Sequence, residues 1–156
     1  VDSRSEWDEA ISLALKYDKA ALVEEYIEGV EATIGILLGK PLPLIELRYP
    51  GKIYDYDAKY THAKGETKYI CPPTGISEKA QNKAQEAALK FYEKSGARDI
   101  LRIDVIVSSK DDSIYVLEGN SIPGCTASSL VPKAAKAAGI SFVSMCCSLV
   151  AEAFAR

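Results

Sequence analysis

Ile100-Leu101-Arg102-Ile103-Asp104-Val105-Ile106-Val107, followed by Ile114-Tyr115-Val116-Leu117-Glu118-Gly119-Asn120, decides the fold. Strand alternation puts Leu101, Ile103, Val105 and Val107 on one face of the first run, and Arg102 and Asp104 on the other. In the second run the same period puts Glu118 and Asn120 together. Between them, Ser108-Ser109-Lys110-Asp111-Asp112-Ser113 reads as a polar hairpin loop, so antiparallel pairing brings Asp104 beside Glu118 and Asn120. Two carboxylates and an amide carbonyl then converge. Hard oxygen donors of this kind suit magnesium, which keeps several waters and completes its shell with substrate phosphates. Arg102 points to the same side, where a guanidinium shares the negative charge of a phosphate or of a tetrahedral intermediate. An exposed polar face on a half-buried hairpin is the plainer account of the same spacing.

Immediately downstream, Ser121-Ile122-Pro123-Gly124-Cys125-Thr126-Ala127-Ser128-Ser129-Leu130-Val131-Pro132 joins a turn to a helix expected to run to about Ala138. Gly124 lets the backbone approach a ligand and offers its N–H. The hydroxyls of Thr126, Ser128 and Ser129 stand at the helix start, an arrangement suited to a carboxylate or to an ordinary cap.

Glu118-Gly119-Asn120-Ser121-Ile122-Pro123-Gly124, with Arg102-Ile103-Asp104 before it and Ser129-Leu130-Val131-Pro132-Lys133-Ala134-Ala135 after it, resembles the D-alanine:D-alanine ligases of the ATP-grasp superfamily. The resemblance extends over nearly the whole chain. It implies ATP as cofactor, with two magnesium ions (or manganese) held by Asp104, Glu118 and Asn120. It also implies that Arg102 and the Gly124 N–H stabilise a tetrahedral intermediate, and that Ser129 and Leu130 hold the carboxylate of the second D-alanine. In Glu24-Glu25-Tyr26-Ile27-Glu28-Gly29-Val30-Glu31, it places Glu24 and the backbone of Glu25, Tyr26 and Ile27 at adenine, and Glu31 at the ribose hydroxyls. Ile53-Tyr54-Asp55-Tyr56-Asp57-Ala58-Lys59-Tyr60 is similar to the family's loop over the active site, so Lys59 would reach a phosphate, and Tyr54 and Tyr60 would face substrate. Cys125 departs from the family's usual methionine and Glu25 from a lysine found in some members.

Working outward, 156 residues with 47% hydrophobic and 26% charged suffice for one compact core, or one domain plus part of another. A net charge of −3 with scattered lysines argues against nucleic acid as a partner. No apolar run has membrane-spanning length, and Cys71, Cys125, Cys146 and Cys147 form no C-x-x-C pair, so a reduced, cytoplasmic setting is expected. Cys146 and Cys147 read as buried thiols in an apolar helix. His62, the single histidine, reads as exposed loop.

Several elements follow from periodicity and punctuation. Ser5 to Tyr17 reads as a capped amphipathic helix with Trp7 in the core, and Ala20 to Ile27 as a strand. Strands are also expected over Ala32 to Leu38 and Leu42 to Tyr49, turned by Gly39-Lys40-Pro41. Ser77 to Ser95, ending at Gly96, carries the longest helical pattern, and Ser141 to Ala155 closes the chain with Phe142, Met145, Cys146, Leu149, Val150 and Phe154 as core.

The expected class is α+β, a mostly antiparallel sheet with helices packed on one face, corresponding to the ATP-grasp C-terminal domain over 32–156 after a remnant of the central domain over 1–31. The resemblance implies ATP-dependent joining of two D-alanines through an acyl phosphate for peptidoglycan precursors. It further implies partnership with N-terminal and central parts not contained in these residues, inactivity without them, and a homodimer as one assembly open to the whole. Another ATP-grasp carboxylate–amine ligase, or a nucleotide-binding module without turnover, shares the metal-binding residues.

Overall fold

The computed structural model describes residues 1, 3–50 and 66–156. Helix α1 (Arg4–Ala14) leads through an extended segment into strands β1 (Gly29–Leu37), β2 (Lys40–Pro41), β3 (Ile45–Arg48) and β4 (Lys68–Ile70). Helix α2 (Glu78–Ser95), strands β5 (Ile100–Ser108) and β6 (Ile114–Asn120), and helices α3 (Leu130–Ala137) and α4 (Phe142–Phe154) follow. The strands form one antiparallel sheet in the order β4-β3-β1-β5-β6, with β2 folded back on β1. The α+β class is met.

Strand β1 is the axis of the sheet, paired with β5 along its whole length from Gly29 opposite Ser108 to Leu37 opposite Ile100. Its even-numbered residues Ala32, Ile34 and Ile36 meet Leu101, Ile103, Val105 and Val107 in one core, against Ala80, Ala84 and Ala88 of α2. Alanine at every fourth position lets that helix lie close to the sheet. Each fully buried isoleucine contributes about 1.5–3 kcal/mol relative to exposure. Ser77 starts α2 by accepting a hydrogen bond from the Ala80 N–H, and Gly96 stops it at φ 68°. Both ends are where the sequence puts them.

The opposite face is shared between packing and chemistry. At one end, α3 and α4 cover it through Val131, Ala134, Ala135 and Met145, packed with Leu37, Leu42 and Ile45. Gly35 makes this approach feasible, since a Cβ there would lie 3.1 Å from Leu42 and 3.2 Å from Val131. Helices thus lie on both faces rather than on one as expected: α2 covers one face, and α3 and α4 close one end of the other. Pro132 is harmless in the first turn of α3, where N–H groups lack helical partners.

Several expectations are corrected. Residues 21–28 form no strand, because the ladder from β1 to β5 begins only at Gly29. The first hairpin turns at Leu38 and Gly39, both at positive φ (49° and 74°), with Lys40 and Pro41 already paired. Helix α1 starts after Ser3, whose side chain makes no capping hydrogen bond, rather than at a Ser5 cap, and it buries none of its residues; Trp7 is 40% exposed. In α4 only Met145 is fully buried; Phe142, Val150 and Phe154 face outward and Cys147 is exposed. The four cysteines are free thiols, and burial pushes those of Cys71 and Cys146 above the ordinary value.

Candidate active site

On the face of β5 turned away from α2, Arg102 and Asp104 stand opposite Asn120 and Glu118 of β6. Their meeting depends on an irregularity. Asp104 opposes Glu118, but Val105 opposes Val116, so Leu117 is an extra residue between two ladder pairs. Unbroken alternation would put Ile114 and Val116 on the same face as Glu118 and Asn120. The bulge instead lets Ile114 pack on the α2 core while the two polar residues reach the other side.

Arg102 binds Asp104 through both carboxylate oxygens, with Nε donating to Oδ1 at 3.0 Å and Nη2 to Oδ2 at 2.9 Å. Nη2 also lies 3.8 Å from Glu118 Oε1. Asn120 Oδ1 accepts the Ile122 N–H at 3.0 Å, which fixes the start of the following loop. In that loop the Ser129 hydroxyl accepts the Thr126 N–H at 3.1 Å and meets the Thr126 hydroxyl at 2.8 Å. A Cβ on Gly124 would sit 3.0 Å from Ser129 Oγ. The turn therefore closes against the start of α3, with Leu130 half-buried behind it.

A cleft of about 970 Å³ opens beside this face. Its walls are α1, with Trp7 and Ile11, and residues 21–27, including Glu24, Glu25, Tyr26 and Ile27; its floor carries Glu31, Tyr49, Asp104, Ile106 and Glu118. Arg102, Asn120, Gly124, Ser129 and Leu130 are outside this lining and continue the site along β5, β6 and the loop. Lack of a strand partner suits residues 21–27 to ligand binding, since their backbone is not committed to the sheet, whereas the Glu28 carbonyl already accepts the Ser109 N–H at 3.0 Å. Lys59, Tyr54, Tyr60 and His62 lie outside the described residues.

Two residues of this site were not singled out in the sequence. Tyr49 donates a hydrogen bond to Glu31 Oε2 at 2.8 Å, orienting that carboxylate on the cleft floor. Burial, with the bond to Glu31, raises the Tyr49 phenol far above its ordinary value, so it stays a donor. Thr33 lies beside Asp104 on the same face, its hydroxyl donating to the Ile103 carbonyl at 3.3 Å. The separation of 18 residues between Glu31 and Tyr49 leaves no periodic signal.

The cleft is acidic. Glu24, Glu25, Glu31, Asp104 and Glu118 line it against Arg4. An anionic ligand there requires cations, and the hard oxygens of Asp104, Glu118 and Asn120 fit a divalent ion of the magnesium type. Among the described residues no three His, Cys, Asp or Glu side chains form a ready metal cluster, so such an ion would depend on the Asn120 amide and on its ligand for further oxygens. No single described helix is long and apolar enough to cross a membrane.

The family model described as D-ala D-ala ligase C-terminus matches residues 1–151. A D-alanine--D-alanine ligase of Carboxydothermus hydrogenoformans is 46% identical over 145 residues, covering 91% of this chain and 46% of that protein. One from Ruthia magnifica is 38% identical over 152 residues, covering 97% of this chain and 50% of its own length. Among solved structures, the Bacillus anthracis D-alanine--D-alanine ligase complexed with ATP superposes with a TM-score of 0.77 at 27% identity, over 95% of this chain and 46% of that one. The VanG D-Ala:D-Ser ligase of Enterococcus faecalis gives a TM-score of 0.81 at 30% identity, over 96% of this chain and 43% of that one. The chain spans about half the length of the curated relatives it matches.

Proposed function

The chain belongs to the D-ala D-ala ligase C-terminus family, and on that premise we propose that it forms the catalytic C-terminal part of a cytoplasmic, ATP-dependent ligase that joins two D-alanines for peptidoglycan precursors. The observation that carries this reading is the gathering of Arg102, Asp104, Glu118 and Asn120 on one sheet face beside a cleft lined by Glu24, Tyr26, Ile27 and Glu31.

In this reading ATP lies in the cleft with adenine against the backbone of Glu25, Tyr26 and Ile27, Glu24 at the base edge, and the ribose hydroxyls on Glu31 in the orientation that Tyr49 gives it. Asp104, Glu118 and Asn120 would hold the two magnesium ions that the family resemblance implies, which would supply neutralisation of phosphate charge. The family resemblance further implies a phosphate contact for Lys59 and substrate contacts for Tyr54 and Tyr60, which lie outside the described residues. The first D-alanine carboxylate attacks the γ-phosphorus of ATP, the β–γ phosphoanhydride bond breaks, and ADP leaves, giving an acyl phosphate. The amine of the second D-alanine then attacks the acyl carbon, and phosphate leaves. Arg102 and the Gly124 N–H stabilise the oxyanion between those events, while Ser129 and Leu130, at the start of α3, hold the second carboxylate.

The likeness to a D-Ala:D-Ser ligase supports a second reading, in which the amine donor is another small D-amino acid such as D-serine. A chimaera carrying this chain behind the N-terminal half of the Carboxydothermus ligase tests both. It is expected to form D-alanyl-D-alanine with ATP, magnesium and D-alanine, and to lose that activity in Glu118→Gln. Preference for D-serine as acceptor would favour the second reading, and activity retained in Glu118→Gln would overturn the site assignment.

A further inference from the structure

The two candidate roles on β5 are not independent, because Arg102 and Asp104 are spent on each other. Both oxygens of Asp104 accept from the guanidinium, at 3.0 Å and 2.9 Å. The side chains are only 19% and 16% exposed, so water competes weakly for them, whereas Glu118 is 61% exposed. A divalent ion needs at least one Asp104 oxygen, and a guanidinium beside it repels it. Arg102 likewise cannot hold an anion with the donors it gives to Asp104.

Resting on the proposed metal-binding role of Asp104 and Glu118, we propose that Arg102 is a cationic placeholder on Asp104, exchanged for the divalent ion and thereby released to an anionic ligand. Without metal, the guanidinium neutralises a half-buried carboxylate and keeps it aligned beside Glu118. When the ion takes Asp104, repulsion and loss of its partner free Arg102 to turn to a phosphate or carboxylate on the same face. Metal and anion are then coupled through one side chain. Whatever holds Arg102 away from Asp104 tightens the metal, and the metal tightens whatever Arg102 binds. The arrangement would suppress anion binding at an unloaded site. In this capacity Arg102 is a positioning residue acting through Asp104, in addition to its proposed contact with the reacting atoms.

The test is Mn²⁺ binding to the 156-residue chain without nucleotide, followed by loss of the free-ion electron paramagnetic resonance signal. Arg102→Gln is expected to bind Mn²⁺ about tenfold more tightly than the unsubstituted chain, the scale of removing a bidentate charged competitor. Arg102→Lys, which keeps the charge but not the fork, should fall between them and serves as the comparison if the glutamine variant does not fold. Glu118→Gln should weaken binding in every background. Equal or weaker binding in both Arg102 variants would show that the guanidinium merely orients Asp104, and would overturn the proposal while leaving the metal site standing. If neither Arg102 variant binds Mn²⁺ at all, the metal-site reading fails and the exchange with it.

Discussion

Glu46 takes a carboxylate into the sheet's interior, 2% exposed, where it accepts the Gly75 N–H at 2.7 Å, the Thr74 N–H at 2.9 Å and a bond from Arg48. Burial raises its pKa, but the bonds from Gly75, Arg48 and Thr74 outweigh burial, and the carboxyl titrates below its ordinary 4.5. A group whose folded pKa is depressed stabilises the fold fully above its unfolded value and gives that up as pH falls through the folded value. Denaturant titrations are therefore expected to show stability declining below about pH 4.5, less steeply in Glu46→Gln. At neutral pH that substitution should cost about 1–3 kcal/mol, because it turns an amide donor toward Arg48. A variant as stable as the unsubstituted chain would contradict this. In the completed enzyme, Ser129→Ala should raise KM for the second amino acid more than KM for ATP, since its hydroxyl shapes the loop and the start of α3. Equal changes in both would point to folding instead. Asp104, Glu118 and Asn120 were legible as candidates from alternation within each strand and the hairpin loop between them, although their meeting needs the bulge at Leu117. Glu46 was not, because its burial depends on a turn 28 residues away.

At the scale of elements, Gly119 and Phe91 show how β6 is seated on α2. A Cβ at Gly119 would lie 2.4 Å from the Phe91 ring, so strand and helix approach only because the side chain is missing. Gly119→Ala is expected to destabilise by about 1–3 kcal/mol through overpacking. Combining it with Phe91→Leu should recover part of that loss in a double-mutant cycle of thermal melts. Strict additivity would show that the contact is not the cause. Strands β5 and β6 and helix α2 were readable because their period, caps and hairpin loop agree. The strand expected over Ala20 to Ile27 failed because apolar, β-branched composition needs a ladder partner, and β1 finds one only from Gly29. The bulge at Leu117 leaves no composition signal, although Ile114, Val116, Glu118 and Asn120 in one apparent phase hint at the conflict it resolves.

Over the whole molecule, apolar side chains remain uncovered on several of the described elements: among them Trp7 and Leu13 on α1, Leu22, Val23 and Tyr26 after it, Tyr115, Val116 and Leu117 on β6, and Val143, Val150 and Phe154 on α4. Surfaces of this kind favour association, so sedimentation of the 156-residue polypeptide should show concentration-dependent self-association. An ideal monomer across the concentration range would count against it. Trp7 and Phe154 were expected inside because helical spacing marks an apolar face without naming what covers it. The polypeptide spans about half the length of its relatives, and phosphoryl transfer depends on positioning of every reacting group. Incubated by itself with ATP, magnesium and D-alanine, it is expected to yield no dipeptide. Dipeptide formed under those conditions would show that these residues suffice.

The unopposed residue in β6 also sets which length changes this hairpin survives. Removing one residue from an ordinary strand exchanges inside for outside in everything beyond the cut. Deleting Leu117 does the reverse: Val116 and Glu118 become neighbours in a regular pleat, still opposite Val105 and Asp104. The hairpin thus contains one position where the chain can shorten without misdirecting Glu118 or Asn120, and a homologue lacking it could keep the same site with a straighter edge.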